Sequence, residues 1–93
     1  MAHEAITTEE AMTLMRRGAL LIDVRTRDEF EEAHIPGALN LPLYEMLDGV
    51  QTAATKPDQT IIIYCETGRR SRSAAQALTY IGYTDVRVWQ EFM

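Results

Sequence analysis

The chain has 93 residues, 46% of them hydrophobic and 25% charged, with a formal net charge of −5 at pH 7. That is enough for one small core; it lacks the basic surplus with which nucleic-acid binders neutralise phosphates, and no apolar run approaches the roughly 18 residues of a membrane span. One cysteine cannot form an internal disulfide, and with two distant histidines, His3 and His34, it offers no metal-ligand spacing, so neither a metal nor another cofactor is expected.

The opening Met1-Ala2-His3-Glu4-Ala5-Ile6 has no basic segment followed by an apolar one, which makes the cytoplasm the expected compartment, and with no apolar run of spanning length no membrane partner is expected. Thr7 and Glu10 have capping-box spacing and predict a short helix with Ala11, Met12, Leu14 and Met15 on one face, closed by Gly18. Ala19 to Val24 is a continuous apolar run of strand length, interrupted by Asp23, as expected of a strand buried on both faces of a parallel sheet. Thr26 with Glu29 repeats the capping box and predicts an acidic helix over Asp28–Ala33, ended by the His34-Ile35-Pro36-Gly37 loop. Ala38 to Leu41 reads as a brief strand stopped by Pro42. Leu43–Leu47 suits one or two helical turns broken by Asp48-Gly49, and Val50–Thr55 reads as a second short helix before the Lys56-Pro57-Asp58 turn.

Thr60–Tyr64 reads as the central strand, and Ser71–Ile81 places Ala74, Ala75, Ala77, Leu78 and Ile81 at helical spacing. Gly82 is a left-handed stop, and Asp85-Val86-Arg87-Val88-Trp89 alternates like a last strand. Nothing marks a repeat or a linker, so residues 1–93 read as a single domain. Strands alternating with helices predict an α/β fold with a mainly parallel sheet and a ligand site at the carboxyl ends of its strands, where Cys65, Asp23 and Arg25 fall.

The lone thiol Cys65 follows the apolar run Ile61-Ile62-Ile63-Tyr64 and precedes the helical pattern. Such a strand-to-helix turn aims unpaired backbone N–H groups and the positive end of a helix dipole at the loop, which favours an anion. A cysteine reacts as its thiolate, the form that a helix N-terminus and nearby arginines favour. Of nine basic residues, Arg69, Arg70 and Arg72 crowd this loop. Gly68 can take φ > 0 and curl the chain so that successive N–H groups converge on the sulfur, with Ser71 and Ser73 adding hydroxyls. The plainer alternatives are a cysteine acting as a small hydrophobe at a strand end and arginines that only solvate a first helical turn.

Three stretches in register resemble the single-domain rhodaneses, sulfurtransferases of the thiosulfate type. They are Leu21-Ile22-Asp23-Val24-Arg25 with Asp28-Glu29-Phe30, then His34-Ile35-Pro36-Gly37-Ala38 with Asn40, then Cys65-Glu66-Thr67-Gly68-Arg69-Arg70-Ser71. The resemblance implies a small three-layer domain with a mainly parallel central sheet flanked by helices. It implies that Cys65 attacks the outer sulfur of a small anionic donor to form a persulfide, which cyanide or a thiol then takes. Glu66, Thr67, Gly68, Arg69, Arg70 and Ser71 are implied to bind the donor, Arg70 by clamping it or ordering the loop; the alternative for Arg70 is a salt bridge to a residue such as Glu66. Asp23 is implied to hold the loop through backbone N–H groups, and Arg25 to pair with an acid such as Glu29. His34 reads as a turn-stabilising residue, since a pre-formed thiolate needs no base.

Four residues separate Cys65 from Arg70, whereas the similar loop of cysteine phosphatases has five before its arginine, which weighs against a phosphatase or arsenate reductase. A further alternative is a rhodanese-like sulfur-carrier, binding or regulatory module that does not turn over. Rhodaneses usually continue past the last strand with a glycine pair and a final helix, where this chain has only Gln90-Glu91-Phe92-Met93. The expectation is either a chain cut short or a face covered by a second copy or another partner, with Trp89 and Phe92 then forming an apolar patch.

Overall fold

The computed structural model describes residues 4–66 and 68–90. Five strands, β1 (Glu4–Ile6), β2 (Leu20–Asp23), β3 (Leu39–Asn40), β4 (Ile61–Tyr64) and β5 (Val86–Trp89), form one sheet in the order β1-β5-β4-β2-β3, and every pairing is parallel. Four helices connect them: α1 (Thr8–Arg16), α2 (Arg27–Glu32), α3 (Met46–Ala53), preceded by a 3₁₀ turn at Leu43–Glu45, and α4 (Arg69–Tyr80).

The period-2 alternation of β4 sorts its side chains onto two cores. Ile61, Ile63 and Cys65 face Met46 and Val50 of α3 and Ala74, Ala75 and Leu78 of α4. Ile62 and Tyr64 face Ala11 and Leu14 of α1 together with Ile6 and Trp89. The result is the expected three-layer α/β arrangement, and the central strand is buried on both faces because helices cover both. No helix among the described residues is long and apolar enough to cross a membrane.

Both capping boxes form: Thr7 Oγ1 accepts the Glu10 N–H at 3.2 Å, Thr26 Oγ1 accepts the Glu29 N–H at 3.2 Å, and each glutamate carboxylate accepts its threonine's N–H in return. Three expectations change. The edge strand β1 is additional; its single buried residue, Ile6, sits one position before the Thr7 cap and joins Ala11 in the same cluster, a hydrophobic staple. Asp48-Gly49 does not break the helix, which runs through Met46–Ala53. The Leu41 side chain packs onto Gly49, where a Cβ would meet its methyl groups. Trp89 is not an exposed patch: it is 5% exposed, packs edge-on to Tyr64 with ring centroids 5.9 Å apart, and donates its indole N–H to Thr8 Oγ1 at 3.0 Å. Phe92 lies outside the described residues.

The chain leaves β2 toward β3 on one side and leaves β4 toward β5 on the other. The carboxyl ends of the neighbouring strands β2 and β4 therefore flank the point at which connections diverge, where open parallel sheets form their ligand crevices.

Candidate active site

Cys65 occupies the first position after β4, at that crevice, and is 3% exposed. The chain must turn from strand to helix within a few residues, and Gly68 makes the turn with φ +84° as the residue that caps α4, without a side-chain cap. A Cβ there would meet Arg72 Nη1 at 3.0 Å and would impose a left-handed conformation that side chains disfavour. Gly68 has no side chain to take the first-turn N–H groups, and two N–H groups of the turn point at the sulfur. The N–H groups of Gly68 and Ser71 donate to Cys65 Sγ at 3.1 and 3.2 Å. Ser71, fully buried, accepts the thiol proton at Oγ (3.3 Å) while its own hydroxyl donates to the Gly68 carbonyl at 3.0 Å. Ser71 thus braces the sulfur from a buried position through both its N–H and its hydroxyl. Glu66, Arg69 and Ser73 are exposed along the rim, and Thr67 lies outside the described residues.

Asp23 ends the neighbouring strand and Arg25 follows two residues on; where the resemblance implies the cysteine loop for Asp23 and an acid such as Glu29 for Arg25, the two pair with each other. Asp23, with no exposed surface, spends both carboxylate oxygens on Arg25: Oδ1 accepts the Arg25 backbone N–H at 2.9 Å and Nε–H at 3.1 Å, and Oδ2 accepts Nη2–H at 2.9 Å. Among the described residues Asp23 makes no hydrogen bond to the cysteine loop; its carboxylate is held by the cation two residues on. Arg25 Nη2 also donates to the Ala33 carbonyl, tying the end of α2 to the end of β2. The hydrogen bonds that Arg25 donates to Asp23 hold its guanidinium pKa above the ordinary value. Asn40 Nδ2 donates to the Asp23 and Arg25 carbonyls at 3.1 and 3.0 Å, which fixes the backbone of this turn.

The acid expected beside Arg25 belongs to Arg70. Glu29 accepts Arg70 Nη1–H at Oε1 (2.9 Å) and Nη2–H at Oε2 (3.2 Å), a fork-to-carboxylate pair joining the first turn of α4 to the capping box of α2. Arg70, followed by the Thr26 N–H, lowers the Glu29 carboxyl from 4.5 to about 2. Glu66 is not the partner. The sequence offers two acids near Arg25 and Arg70, and only the fold brings residues 29 and 70 together.

Tyr64 is a further contributor, to which the sequence assigns no role beyond the strand. The Tyr64 hydroxyl accepts the Ile35 N–H at 3.1 Å, anchoring the His34–Gly37 loop, and burial pushes its pKa up to about 12. His34 has the expected structural role: its Nδ1 lies 2.8 Å from the Phe30 carbonyl and its ring stacks on Phe30 at 3.7 Å. A groove of about 410 Å³, lined by Arg25, Glu29, Glu32, His34, Ile35 and Glu66 among others, runs from this loop to the rim of the cysteine loop.

Residues 7–91 match the model of the rhodanese-like domain. The chain is 38% identical over 65 residues to the thiosulfate sulfurtransferase PspE of Escherichia coli (strain K12), a match that covers 70% of this chain and 62% of PspE, less than two thirds of that relative's length. It is 36% identical over 81 residues to the thiosulfate sulfurtransferase GlpE of Pseudomonas syringae pv. syringae (strain B728a), covering 87% of this chain and 74% of GlpE. Among solved structures, a human single-domain sulfurtransferase, TSTD1, superposes with a TM-score of 0.79 at 30% identity, covering 91% of this chain and 87% of that one. With its three signature stretches converging on one crevice of a parallel sheet, the chain belongs to the rhodanese-like domain family.

Proposed function

We propose that the protein is a sulfurtransferase that moves a sulfane sulfur from thiosulfate to a thiophilic acceptor, cyanide or a thiol, through a persulfide on Cys65. The observation that carries this reading is the pair of N–H groups, from Gly68 and Ser71, aimed at the Cys65 sulfur at the start of α4. Donors fixed in place before the reaction stabilise negative charge wherever it resides on sulfur, in the starting thiolate and in the persulfide anion alike. In the first step the thiolate attacks the outer sulfur of thiosulfate; a carbon-bound S–S bond forms, the donor's S–S bond breaks, and sulfite leaves with the bonding electron pair. In the second, the acceptor attacks the outer sulfur and the thiolate is regenerated, so no outside oxidant or reductant is consumed. The free thiol that this requires persists in a reducing compartment such as the cytoplasm. The thiosulfate sulfurtransferases among its relatives support the same reading.

The test is the intact mass after incubation with thiosulfate, for the wild type and Cys65→Ala, before and after cyanide. Gain of one sulfur atom that requires Cys65 and disappears as thiocyanate is the expected result. No adduct on the folded wild type would instead favour a binding or regulatory module.

A further inference from the structure

We propose that Glu29 is a built-in competitor for the anionic donor: its carboxylate occupies the guanidinium fork of Arg70, and an anion entering the cysteine loop must displace it, so Glu29 sets the affinity and the charge preference of the site. The inference rests on reading the loop as the donor site. Three observations carry it. Both terminal nitrogens of Arg70 are bonded to Glu29, at 2.9 and 3.2 Å, so the planar face best suited to an oxyanion is already filled by one. Arg70 stands in the first turn of α4 next to Ser71, whose N–H donates to the Cys65 sulfur at 3.2 Å, so the turn that carries the guanidinium also holds the reacting sulfur. The pair is accessible, with side-chain exposures of 32% and 31%, and Glu29 lines the groove that leads from the loop. Glu29 has a second anchor, the Thr26 N–H at 2.8 Å, so it holds its place when Arg70 turns to another anion and then presents its own negative charge to that anion.

A merely structural strut and a competitor predict opposite signs. Removing a strut loosens the loop and weakens anion binding; removing a competitor strengthens it. Glu29→Gln separates the two, because glutamine keeps the capping-box acceptor while losing the charge. Sulfate serves as the probe, since it is a dianion that undergoes no sulfur transfer, and its binding is read as protection of Cys65 from alkylation by iodoacetamide. The expected result is half-protection at a sulfate concentration about five-fold lower in Glu29→Gln than in the wild type, the size of one partly exposed ion pair. Adding Arg70→Lys to Glu29→Gln should return the value toward that of the wild type. Equal or weaker protection in Glu29→Gln, or none in either protein, overturns the proposal. If Glu29→Gln does not fold, saturating sulfate on the wild type decides: the Glu29 side-chain carboxyl NMR signal must shift, and an unmoved signal overturns it. None of these readings depends on turnover, so a wild type that forms no persulfide refutes the sulfurtransferase function separately.

Discussion

The two turns that leave β2 and β4 begin alike and end in opposite states. Each follows a parallel strand at the same crevice and enters a helix within a few residues, so each presents a helix N-terminus with unpaired N–H groups and a positive dipole end. At α2 the chain answers from within: Thr26 and Glu29 take the N–H groups and Asp23 takes the Arg25 cation. At α4 the cap residue Gly68 has no side chain to offer, and the N–H groups of Gly68 and Ser71 go to a thiol. The lesson is that a helix N-terminus becomes a reactive site only where the local side chains decline to satisfy it. The Glu29–Arg70 pair joins the satisfied turn to the unsatisfied one.

The largest expected effect tests the closed turn. Asp23→Ala leaves the Arg25 guanidinium buried without its carboxylate and should destabilise the fold by about 3–5 kcal/mol, measured by urea unfolding; a loss below about 1 kcal/mol would mean that water or another acid replaces Asp23 easily. Next comes the reactive turn. Gly68→Ala forces a side chain into φ +84° against Arg72 and should cost about 1–2 kcal/mol while slowing sulfur loading of Cys65, because the N–H groups leave the sulfur. Loading as fast as in the wild type would break the link between this glycine and the sulfur nest.

Thr26→Ala supplies the contrast, removing the α2 cap at a cost of about 1 kcal/mol. Stability should fall, with loading falling much less than in Gly68→Ala; the reverse order would erase the distinction between the two turns. The smallest effect is in the pH dependence. The folded Glu29 carboxyl titrates at about 2 against an ordinary 4.5, so the unfolded chain binds the proton first as pH drops. The stability contributed by this pair is present above pH 4.5 and is lost as pH falls toward 2; Glu29→Gln should flatten that limb of the acid unfolding curve. At the alkaline end Tyr64 acts with the same logic reversed, since its hydroxyl stays neutral to about 12 when folded against 10.0 ordinarily, and stability falls as pH rises through that window.

What was legible in the sequence is local. Both capping boxes depend on residues three apart, the buried strands on continuous apolar runs, and the cysteine turn on a glycine three positions after the thiol, so each could be read without knowing the fold. The edge strand β1 escaped because three residues with one buried side chain carry no period. Helix α3 looked broken because glycine is an intrinsic helix breaker, and the packing of Leu41 onto that glycine is not visible along the chain.

By itself, then, the sequence determined the alternation of helices and strands from α1 to β5 apart from the unity of α3, the capping of α1 and α2 and the placement of Cys65 at a strand end, since short-range hydrogen bonds and hydrophobic period dictate these. Tertiary structure alone decided the partners. Arg70 could meet Glu66 or Glu29, Arg25 could meet Asp23 or Glu29, and Trp89 could face solvent or Tyr64. Which of these forms depends on strands β2 and β4 lying side by side and on α1 folding over β5, contacts between segments tens of residues apart whose geometry no local spacing encodes.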